Sequence, residues 1–433
     1  MLAFLKQMCY NAYNMKNVQL TADQELAQNL IAEWFLNGSE LQFVLAGYAG
    51  TGKTFLINHV VKNILHLKAG VEAAFVSPTG KAATVLAQGG TVAGTVHGLI
   101  YIRNEDDFDV DENGEILPSS RNLSFYKRES IDEKIRLIIV DEASMVSEEV
   151  LRDLLSYGVK CLFCGDRAQL PPVNGECKLL EHPNVELTQI VRQAEGDPII
   201  QVATMAREGK RIPYGEYGEN VSVIPLRQMQ GLQRQRILLR ADQIICGRNK
   251  TRNSLNEEYR TYLGIPREAY LPQDGEKLIC TLNNWEKPLE KGGRFYLVNG
   301  MIGRVENVRE HYDHLVSMAF TADGIGHEVQ VVADGSVFLT GEYAHMYGDQ
   351  AVKLVDGTII HEANRGLLRK LKVVEQETIS RFEFAYAITC HKAQGSEFDS
   401  VVVFDESWLF GDDRSRWLYT AITRAKKRLL IVR

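Results

Sequence analysis

The stretch from Leu41 to Leu56, LQFVLAGYAGTGKTFL, decides the fold of this chain. It begins with a strand-like apolar run and continues into a loop of the form Gly47-x-x-x-x-Gly52-Lys53-Thr54. Behind the loop, apolar residues follow at helical spacing, at Leu56, Val60 and Ile64. A strand, a glycine loop and a helix in this order form a phosphate cradle, because the loop N–H groups turn inward at a positive helix N-terminus.

This pattern predicts a site for ATP and Mg²⁺. We expect Lys53 to reach the β- and γ-phosphates and the Thr54 hydroxyl to hold the metal ion. The remaining residues of the cradle would surround the phosphates with backbone groups; they are Gly47, Gly50, Thr51 and Gly52.

The composition limits the classes of function. The chain has 433 residues, 24% of them charged and 45% hydrophobic, which is typical of a soluble protein of two or three domains. A net charge of −7 excludes a global basic field, so a nucleic-acid partner needs a local basic groove. Seven scattered cysteines favour a reduced, cytoplasmic setting, and no segment indicates a membrane partner.

A second motif supports the first. The strand Arg136–Val140, with four apolar residues in succession, delivers two acids, Asp141 and Glu142, to its end. Asp141 would hold the metal through water, and Glu142 would orient and deprotonate an attacking water molecule.

Polar residues follow other predicted strands of the first half. Thr79 and Lys81 come after Ala73–Val76, and we expect them at the carboxyl edge of a parallel sheet, where ligands bind in open α/β folds. A cluster at Thr95 and His97 comes next, although His97 also fits a packed histidine. Gln24, in the first turn of an amphipathic helix capped by Thr21, is either a solvated residue or an amide that recognises adenine.

An acidic insert separates these motifs. Residues 105 to 115 carry seven acids, and Asp109-x-Asp111-x-Asn113-Gly114 matches the opening of a calcium loop. Position twelve of that loop is Ser120 instead of the required glutamate, so we interpret Asn113-Gly114 as the turn of a β-hairpin between Leu99–Phe108 and Ile116–Phe125. Cys161-x-x-Cys164 near Cys177 does not predict zinc, because residues three apart in a strand face opposite sides.

The sequence pattern of the second half changes twice, from α/β to short β-strands and back. Arg192 is either a surface charge or a finger toward a γ-phosphate, and residues 242 to 256 predict a strand, a basic loop and a helix start. Glycine-rich short strands from about 265 to 370 predict a small barrel-like β insert, with a hairpin turn at Asn299-Gly300. The α/β pattern then returns, and Lys426, Lys427 and Arg428 are interpreted as a solvated helix end, whereas Arg424 has small neighbours that suit an interface.

Taken together, the motifs resemble superfamily-1 DNA helicases of the 5′→3′ branch, of the RecD and phage Dda type. The matching stretches are GYAGTGKT, SPTGKAA, TVH, DEASM, GDRAQLPPV, LTQIVRQ, AITCHKAQGSEFDSV and YTAITRAKKRL. The resemblance implies an α/β fold of two RecA-like parallel-sheet P-loop domains with a β-hairpin insert and a small SH3-like β insert. It implies a first domain at 1–180 containing the 99–133 hairpin, a second domain at 181–264 and 371–433, and the β insert at 265–370.

The resemblance also implies roles for single residues. Gln24 would recognise adenine, Gln169 would sense the γ-phosphate, and Arg192 and Arg424 would stabilise charge during hydrolysis. Gly395 and Glu397 would contact the nucleotide, with Glu397 near the ribose. Single-stranded DNA would face Thr79, Lys81, Thr95, His97, Thr389, His391 and Lys392.

The sequence therefore predicts an ATP-dependent helicase that moves 5′→3′ on single-stranded DNA and opens forked duplexes, acting as a monomer. Two alternatives stay open: a DNA-binding subunit that uses ATP as a switch in a recombination or repair complex, and an RNA-directed helicase. Single-strand-binding or replication proteins are the expected partners, and a phage protein in a host cytoplasm is compatible with the resemblance. The acidic hairpin departs from the apolar wedge that is frequent in the family.

Overall fold

A computed structural model describes residues 20–88, 93–103, 125–171, 178–191, 196–289, 296–346, 349–364 and 373–433. Four sequence predictions concern residues outside these ranges: the charge-stabilising role of Arg192, the hairpin turn at Asn113-Gly114, and the cysteines at positions 9 and 177.

The described α-helices are α1 (Ala22–Asn37), α2 (Lys53–His59), α3 (Gly80–Gln88), α4 (Val96–Ile100), α5 (Glu148–Leu155), α6 (Pro198–Arg207), α7 (Gly231–Arg240), α8 (Asn249–Tyr262), α9 (Ser336–Thr340), α10 (Cys390–Ala393) and α11 (Arg414–Ile422).

The first sheet is entirely parallel and carries the phosphate loop. Its strand order is β3-β2-β6-β7-β1-β8. Its central strands are apolar along their whole length, as expected for a parallel sheet covered on both faces. The strands are β1 (Gln42–Gly47), β2 (Ala73–Ser77), β3 (Ala93–Thr95), β6 (Leu137–Val140), β7 (Lys160–Gly165) and β8 (Val185–Leu187).

The second sheet repeats this architecture. Its order is β22-β11-β23-β24-β10-β9, and only the edge strand β9 runs antiparallel to its neighbour. The strands are β9 (Gly215–Tyr217), β10 (Val221–Ile224), β11 (Gln243–Cys246), β22 (Ala387–Thr389), β23 (Phe398–Phe404) and β24 (Ala425–Val432). The predicted α/β class with two parallel-sheet units is confirmed.

The β-rich region between them forms open sheets. Five antiparallel strands have the order β17-β16-β15-β12-β21, two smaller sheets flank them, and the described strands do not close into a barrel. The small β insert is thus confirmed, whereas its barrel-like form is not. Its strands are β12 (Lys277–Cys280), β13 (Asn284–Pro288), β14 (Tyr296–Leu297), β15 (Ile302–Glu310), β16 (Leu315–Ala322), β17 (Glu328–Asp334), β18 (Gln350–Leu354), β19 (Ile359–His361), β20 (Val373–Thr378) and β21 (Phe382–Phe384).

The base of the acidic insert is a strand pair. Strands β4 (Tyr101–Arg103) and β5 (Phe125–Lys127) run antiparallel, with Tyr101 opposite Lys127. The hairpin stem therefore exists near the predicted positions, and residues 104–124 lie outside the described part.

Three local interpretations are wrong. Lys426, Lys427 and Arg428 belong to strand β24, because hydrogen bonding to β23 begins already at Ala425. The Asn299-Gly300 turn does not join paired strands, since β14 pairs with β13; it is a tight turn in which Gly300 has φ +90°. The first sheet also gains β8 beyond the predicted limit at residue 180, because β8 pairs with β1; the domain division otherwise stays a prediction.

The cysteines of β7 pack into two different cores. Cys161 belongs to the cluster around Val44, Ile138 and Phe163, and Cys164 belongs to the cluster around Leu45 and Ile139. The two thiols therefore face opposite sides of the sheet, which agrees with the prediction that they do not bind zinc together. The five described cysteines are free and buried. Among the described residues, no helix has both the length and the apolar character that a membrane crossing requires.

Helix α3 begins in direct contact with the β insert. A Cβ atom added to Gly80 would lie 2.0 Å from Val298 Cγ2, so only glycine permits this approach. The contact joins the carboxyl edge of the first sheet to the turn before β15.

We predict that Gly80→Ala lowers the free energy of unfolding by about 1–3 kcal/mol, because the added methyl group overpacks this contact. Thermal unfolding of the full chain measures the change. Gly94→Ala is the matched control, since a Cβ there meets nothing within 4 Å. Equal stability of the two variants would contradict the tight contact.

Candidate functional site

The loop after β1 has the backbone of a phosphate cradle. Gly50 and Gly52 adopt φ +81° and +74°, a left-handed conformation that favours glycine. Lys53 then begins α2, and its ammonium group donates to the carbonyl oxygens of Gly47 at 2.7 Å and Tyr48 at 3.1 Å. These hydrogen bonds hold the Lys53 ammonium group beside the loop, where it can exchange the carbonyl oxygens for phosphate oxygens.

Gln24 supports this loop from beneath. Its side chain is buried, its Oε1 accepts the Thr21 N–H, and its Nε2 donates to the Thr51 carbonyl at 2.9 Å. A Cβ on Gly52 would lie 2.7 Å from Gln24 Nε2. The structure thus gives the amide a positioning role that links the cap of α1 to the loop, and adenine recognition stays a prediction.

The acid pair lies at the end of β6, which is buried throughout. Glu142 has φ +55°, an uncommon conformation for a residue other than glycine, and its N–H donates to Asp141 Oδ1 at 3.0 Å. Backbone strain of this kind clusters at functional sites, where it fixes the direction of a side chain.

The electrostatics of the pair suit a base beside a metal ligand. Withdrawal from water, together with the charge of Asp141, raises the pKa of Glu142 to about 6, although Arg424 and Lys53 oppose the rise. Withdrawal from water also raises the pKa of Asp141, against a hydrogen bond from the Glu142 N–H and the charge of Lys53. Two carboxylates that resist ionisation together form a site that favours a cation.

The guanidinium group of Arg424 opposes the rise in the pKa of Glu142. It is 4% exposed, and it donates to the carbonyls of Thr420 at 3.0 Å and Ser396 at 3.2 Å. These bonds fix it at the start of β24 in the second sheet, while its charge lowers the pKa of Glu142 from the first. The small neighbours noted in the sequence therefore do accompany a buried, interface arginine.

Three predicted DNA-facing threonines perform one structural task. Thr79, Thr95 and Thr389 each follow or end a parallel strand, and each hydroxyl accepts an N–H from the first turn of the next helix, from Ala82, Gly98 and Lys392 respectively. They are helix caps at the carboxyl edges of the two sheets. This explains their residue type without a ligand, so their DNA role stays a prediction.

The ammonium group of Lys81 is buried, which is unusual for a lysine. Its Nζ is buried and has no hydrogen-bond partner, and it lies 5.1 Å from the centroid of the Phe398 ring. Burial, with help from Lys277, lowers its pKa to about 7. It lines a cavity of about 190 Å³ between the two sheets and the insert, together with Asp323 and Glu397.

The other predicted DNA residues have partners inside the chain. Lys392 donates to Glu383 at 2.6 Å, and Arg252 pairs with the same carboxylate. The His391 ring is tilted against Phe410 with ring centroids 5.8 Å apart, and the His97 ring lies 5.1 Å from that of Tyr101. Burial lowers the pKa of both histidines, which favours the neutral, packed form.

The remaining nucleotide candidates lie at the same junction. Gly395 has φ +67°, and a Cβ there would lie 2.9 Å from Ala82 Cβ, so the two sheets approach closely at this point. Glu397 is exposed and lies 3.5 Å from Lys426. Gln169 is buried with its Oε1 unpaired.

Sequence reasoning missed Tyr419. Its hydroxyl accepts the Ala49 N–H of the phosphate loop at 2.8 Å and donates to Asp166 at 2.6 Å, so one α11 side chain connects two motifs of the first sheet. Its presence in YTAITRAKKRL was the available signal, but its partners lie 370 and 253 positions away.

The same interface holds Leu170, the residue that follows Gln169, the predicted γ-phosphate sensor. The Leu170 N–H donates to Thr420 Oγ1 at 2.9 Å, and its carbonyl accepts from Gln394 Nε2 at 2.8 Å. Arg207 of α6 adds a guanidinium 3.6 Å from the Tyr48 ring centroid. Residues of the second sheet thus contact three successive motifs of the first.

The residues present fit a nucleotide with Mg²⁺. Several buried polar atoms without a partner belong to motifs around the acid pair, namely Ser77 Oγ, Lys81 Nζ, Ser144 Oγ, Gln169 Oε1 and Ser396 Oγ. Thr54, which is exposed at the start of α2, and Asp141 supply the oxygen ligands that Mg²⁺ prefers.

Comparison with known families agrees with this site. A family described as an AAA domain matches residues 21–223, and a UvrD-like helicase C-terminal domain matches residues 384–432. Each match contains residues from one side of the junction between the two sheets. The first includes the phosphate loop and the acid pair, and the second includes Arg424.

Relatives match most of the chain. It is 26% identical to an ATP-dependent RecD2 DNA helicase of Deinococcus radiodurans over 89% of this chain and 46% of that protein. It is 24% identical to an ATP-dependent DNA helicase Pif1 of Campylobacter jejuni over 88% of this chain and 86% of that protein. The chain spans less than half the length of the RecD2 relative.

Among solved structures, a Pif1 helicase from Bacteroides in complex with ADP-AlF3 and single-stranded DNA matches 96% of this chain and 92% of that one. The identity is 19% and the TM-score is 0.49. A Pif1 helicase from Candida albicans matches with 17% identity and the same TM-score.

The raised pKa of Glu142 predicts the acidic limb of the activity profile. A base must be ionised to act, so kcat/KM for ATP hydrolysis should fall as the pH drops through about 6, which is the value for the free enzyme. A rate profile between pH 5 and 8 measures this. An inflection near 4.5, the ordinary glutamate value, would contradict the assignment.

The Tyr419 bridge predicts a kinetic effect. Tyr419→Phe removes the hydroxyl that accepts the Ala49 N–H and donates to Asp166 Oδ2, and we expect kcat for ATP hydrolysis to fall about tenfold, equivalent to ~1.4 kcal/mol. Tyr217→Phe is the control, because its hydroxyl donates only to the nearby Pro213 carbonyl at 2.9 Å. Unchanged kinetics in Tyr419→Phe would remove the bridge from the mechanism.

Proposed function

We propose that this chain, which is of the RecD- and Pif1-like superfamily-1 helicase type, is an ATP-dependent DNA helicase that translocates 5′→3′ along a single strand and opens duplex DNA. The observation that carries the proposal is the composite site at the junction of the two sheets. Lys53, Asp141 and Glu142 come from the first sheet, and Arg424 reaches the acid pair electrostatically from the second. A site divided in this way makes hydrolysis depend on how the two units are arranged.

The chain's own residues suggest how hydrolysis proceeds. Lys53 would leave the carbonyls of Gly47 and Tyr48 for the β- and γ-phosphates, while Thr54 and Asp141 would hold Mg²⁺, which neutralises the phosphate charge when bound. Glu142, fixed in its left-handed conformation, would accept the proton of the attacking water. The charge that develops on the γ-phosphate would be stabilised by Arg424, Gln169 and Arg192.

DNA binding is proposed at the carboxyl edges of the sheets. The capped helices at Thr79, Thr95 and Thr389 lie at these edges, with Lys81, His97, His391 and Lys392 in their first turns. Lys392 already pairs with Glu383, so a DNA phosphate would compete with that carboxylate. Translocation would follow if each unit bound phosphates with a different affinity in the open and closed states.

A strand-displacement assay tests the proposal. The full chain with ATP and Mg²⁺ should unwind a 5′-tailed duplex and leave a 3′-tailed duplex intact. Glu142→Gln should bind ATP and DNA but lose unwinding, since it lacks the base. Preference for the 3′-tailed substrate would overturn the direction, and near-normal turnover by Glu142→Gln would overturn the role of that residue.

The two alternatives give different outcomes. An ATP-switch subunit would bind DNA but show no DNA-stimulated hydrolysis without a partner complex. An RNA-directed helicase would be competed more strongly by RNA strands than by DNA strands of the same sequence.

A further inference from the structure

Two histidines and an aspartate meet in the β insert, away from the junction of the two parallel sheets. One ligand atom from each of His345, Asp349 and His361 lies within 4.8 Å of the others. The His345 side chain is buried, and the other two side chains are only 15% and 17% exposed. The imidazole rings lie 4.9 Å apart at 34°. Three groups that water would normally solvate are therefore gathered at a largely enclosed point.

The tautomer of His345 follows from its partner. Its Nε2 lies 2.8 Å from the carbonyl oxygen of Asp313, which can only accept, so Nε2 carries the proton. In the neutral ring the Nδ1 lone pair is then available on the other side. A backbone carbonyl that accepts one ring N–H is the usual way in which a protein orients a metal-binding histidine.

Asp313 also positions the second histidine. Its carboxylate accepts the backbone N–H of His361 at 3.2 Å and the side-chain amide of Asn364 at 2.7 Å. Asp313 itself has φ +59°, so its backbone is held in a conformation that few residues other than glycine adopt. One residue thus fixes both histidines, through its carbonyl and its carboxylate.

His361 has a ring nitrogen without a satisfied partner. Its Nε2 is buried and makes no hydrogen bond, although it lies 3.1 Å from Asp349 Oδ2. An ion about 2.1 Å from both atoms would bind them at an angle of about 95°, which lies within the range of metal sites. The ligand atoms lie within 4.8 Å of one another, so the most distant pair would need to approach by up to about 1.4 Å to reach tetrahedral spacing.

We propose that His345, Asp349 and His361 bind a divalent transition metal ion, with Zn²⁺ as the best match to two imidazoles and one carboxylate. Water would complete the coordination, and the neutral imidazoles disfavour Mg²⁺, which prefers oxygen ligands. The ion would link His345 and Asp349 to His361 of strand β19. The role is structural, because a link of this kind stabilises the folded insert by binding it in preference to the unfolded chain.

Metal binding to the full chain tests the site. After treatment with a chelator, the protein is titrated with Zn²⁺ against a chromophoric competitor in millimolar Mg²⁺, which occupies oxygen-ligand sites. We expect one Zn²⁺ per chain, with binding lost in His361→Gln and in Asp349→Asn. Asn364→Ala, which removes a partner of Asp313, should weaken binding about tenfold. His327→Gln, an exposed histidine of the same insert, is the control and should bind as the parent does.

Two further measurements do not depend on the folding of variants. Co²⁺ in the unaltered chain should give the visible absorption of a low-symmetry site with nitrogen ligands, and Zn²⁺ should displace it. Zn²⁺ should also raise the Tm of the full chain by roughly 2–4 °C over the chelated protein. Absence of stoichiometric binding, or equal binding by His361→Gln and His327→Gln, would overturn the metal site and leave a histidine–aspartate ion pair.

Discussion

The Tyr419 hydroxyl is the polar contact on which the arrangement of the two sheets depends. It is buried, it accepts from the phosphate loop at Ala49 and it donates to Asp166. A buried hydroxyl, amide or carboxylate left unpaired costs about 1–3 kcal/mol, so separation of the units exposes all three groups or replaces their partners with water. These hydrogen bonds therefore favour the arrangement of the two units that the structure shows.

The junction also affects the charge state of the acid pair, Asp141 and Glu142. Glu142 is withdrawn from water beside Asp141, and the favourable opposing charges come from Lys53 in the same unit and Arg424 in the other. Removal of Arg424 from the junction would take away the stronger of these two opposing charges and raise the pKa of Glu142 further. Glu142 is thus most readily ionised when Arg424 lies at the junction, so its charge state depends on the arrangement of the two units.

The sequence predicted what is local and missed what is distant. The phosphate loop, the acid pair and the capped helices each follow from a short run at the end of a strand, because loop geometry and capping involve neighbours within a few residues. Tyr419, the Gln394 amide and the burial of Gln24 depend on partners from elsewhere in the fold. The strand at Lys426–Arg428 was misread for the same reason: exposed charged residues have no helical or strand preference strong enough to outweigh pairing with β23.

Two lysines, Lys53 and Lys81, differ in how the structure satisfies their charged groups. Lys53 is satisfied by loop carbonyls, and Lys81 lies buried without a partner, with its pKa lowered to about 7. A phosphate near Lys81 would supply the missing counter-charge and restore the protonated form, so anion binding there relieves a cost that the closed structure carries. An interaction that is favourable only when an anionic ligand is present shifts the equilibrium between arrangements by its differential affinity. The Tyr419 bridge is thus satisfied within the chain, whereas the buried Lys81 would gain a counter-charge from an anionic ligand.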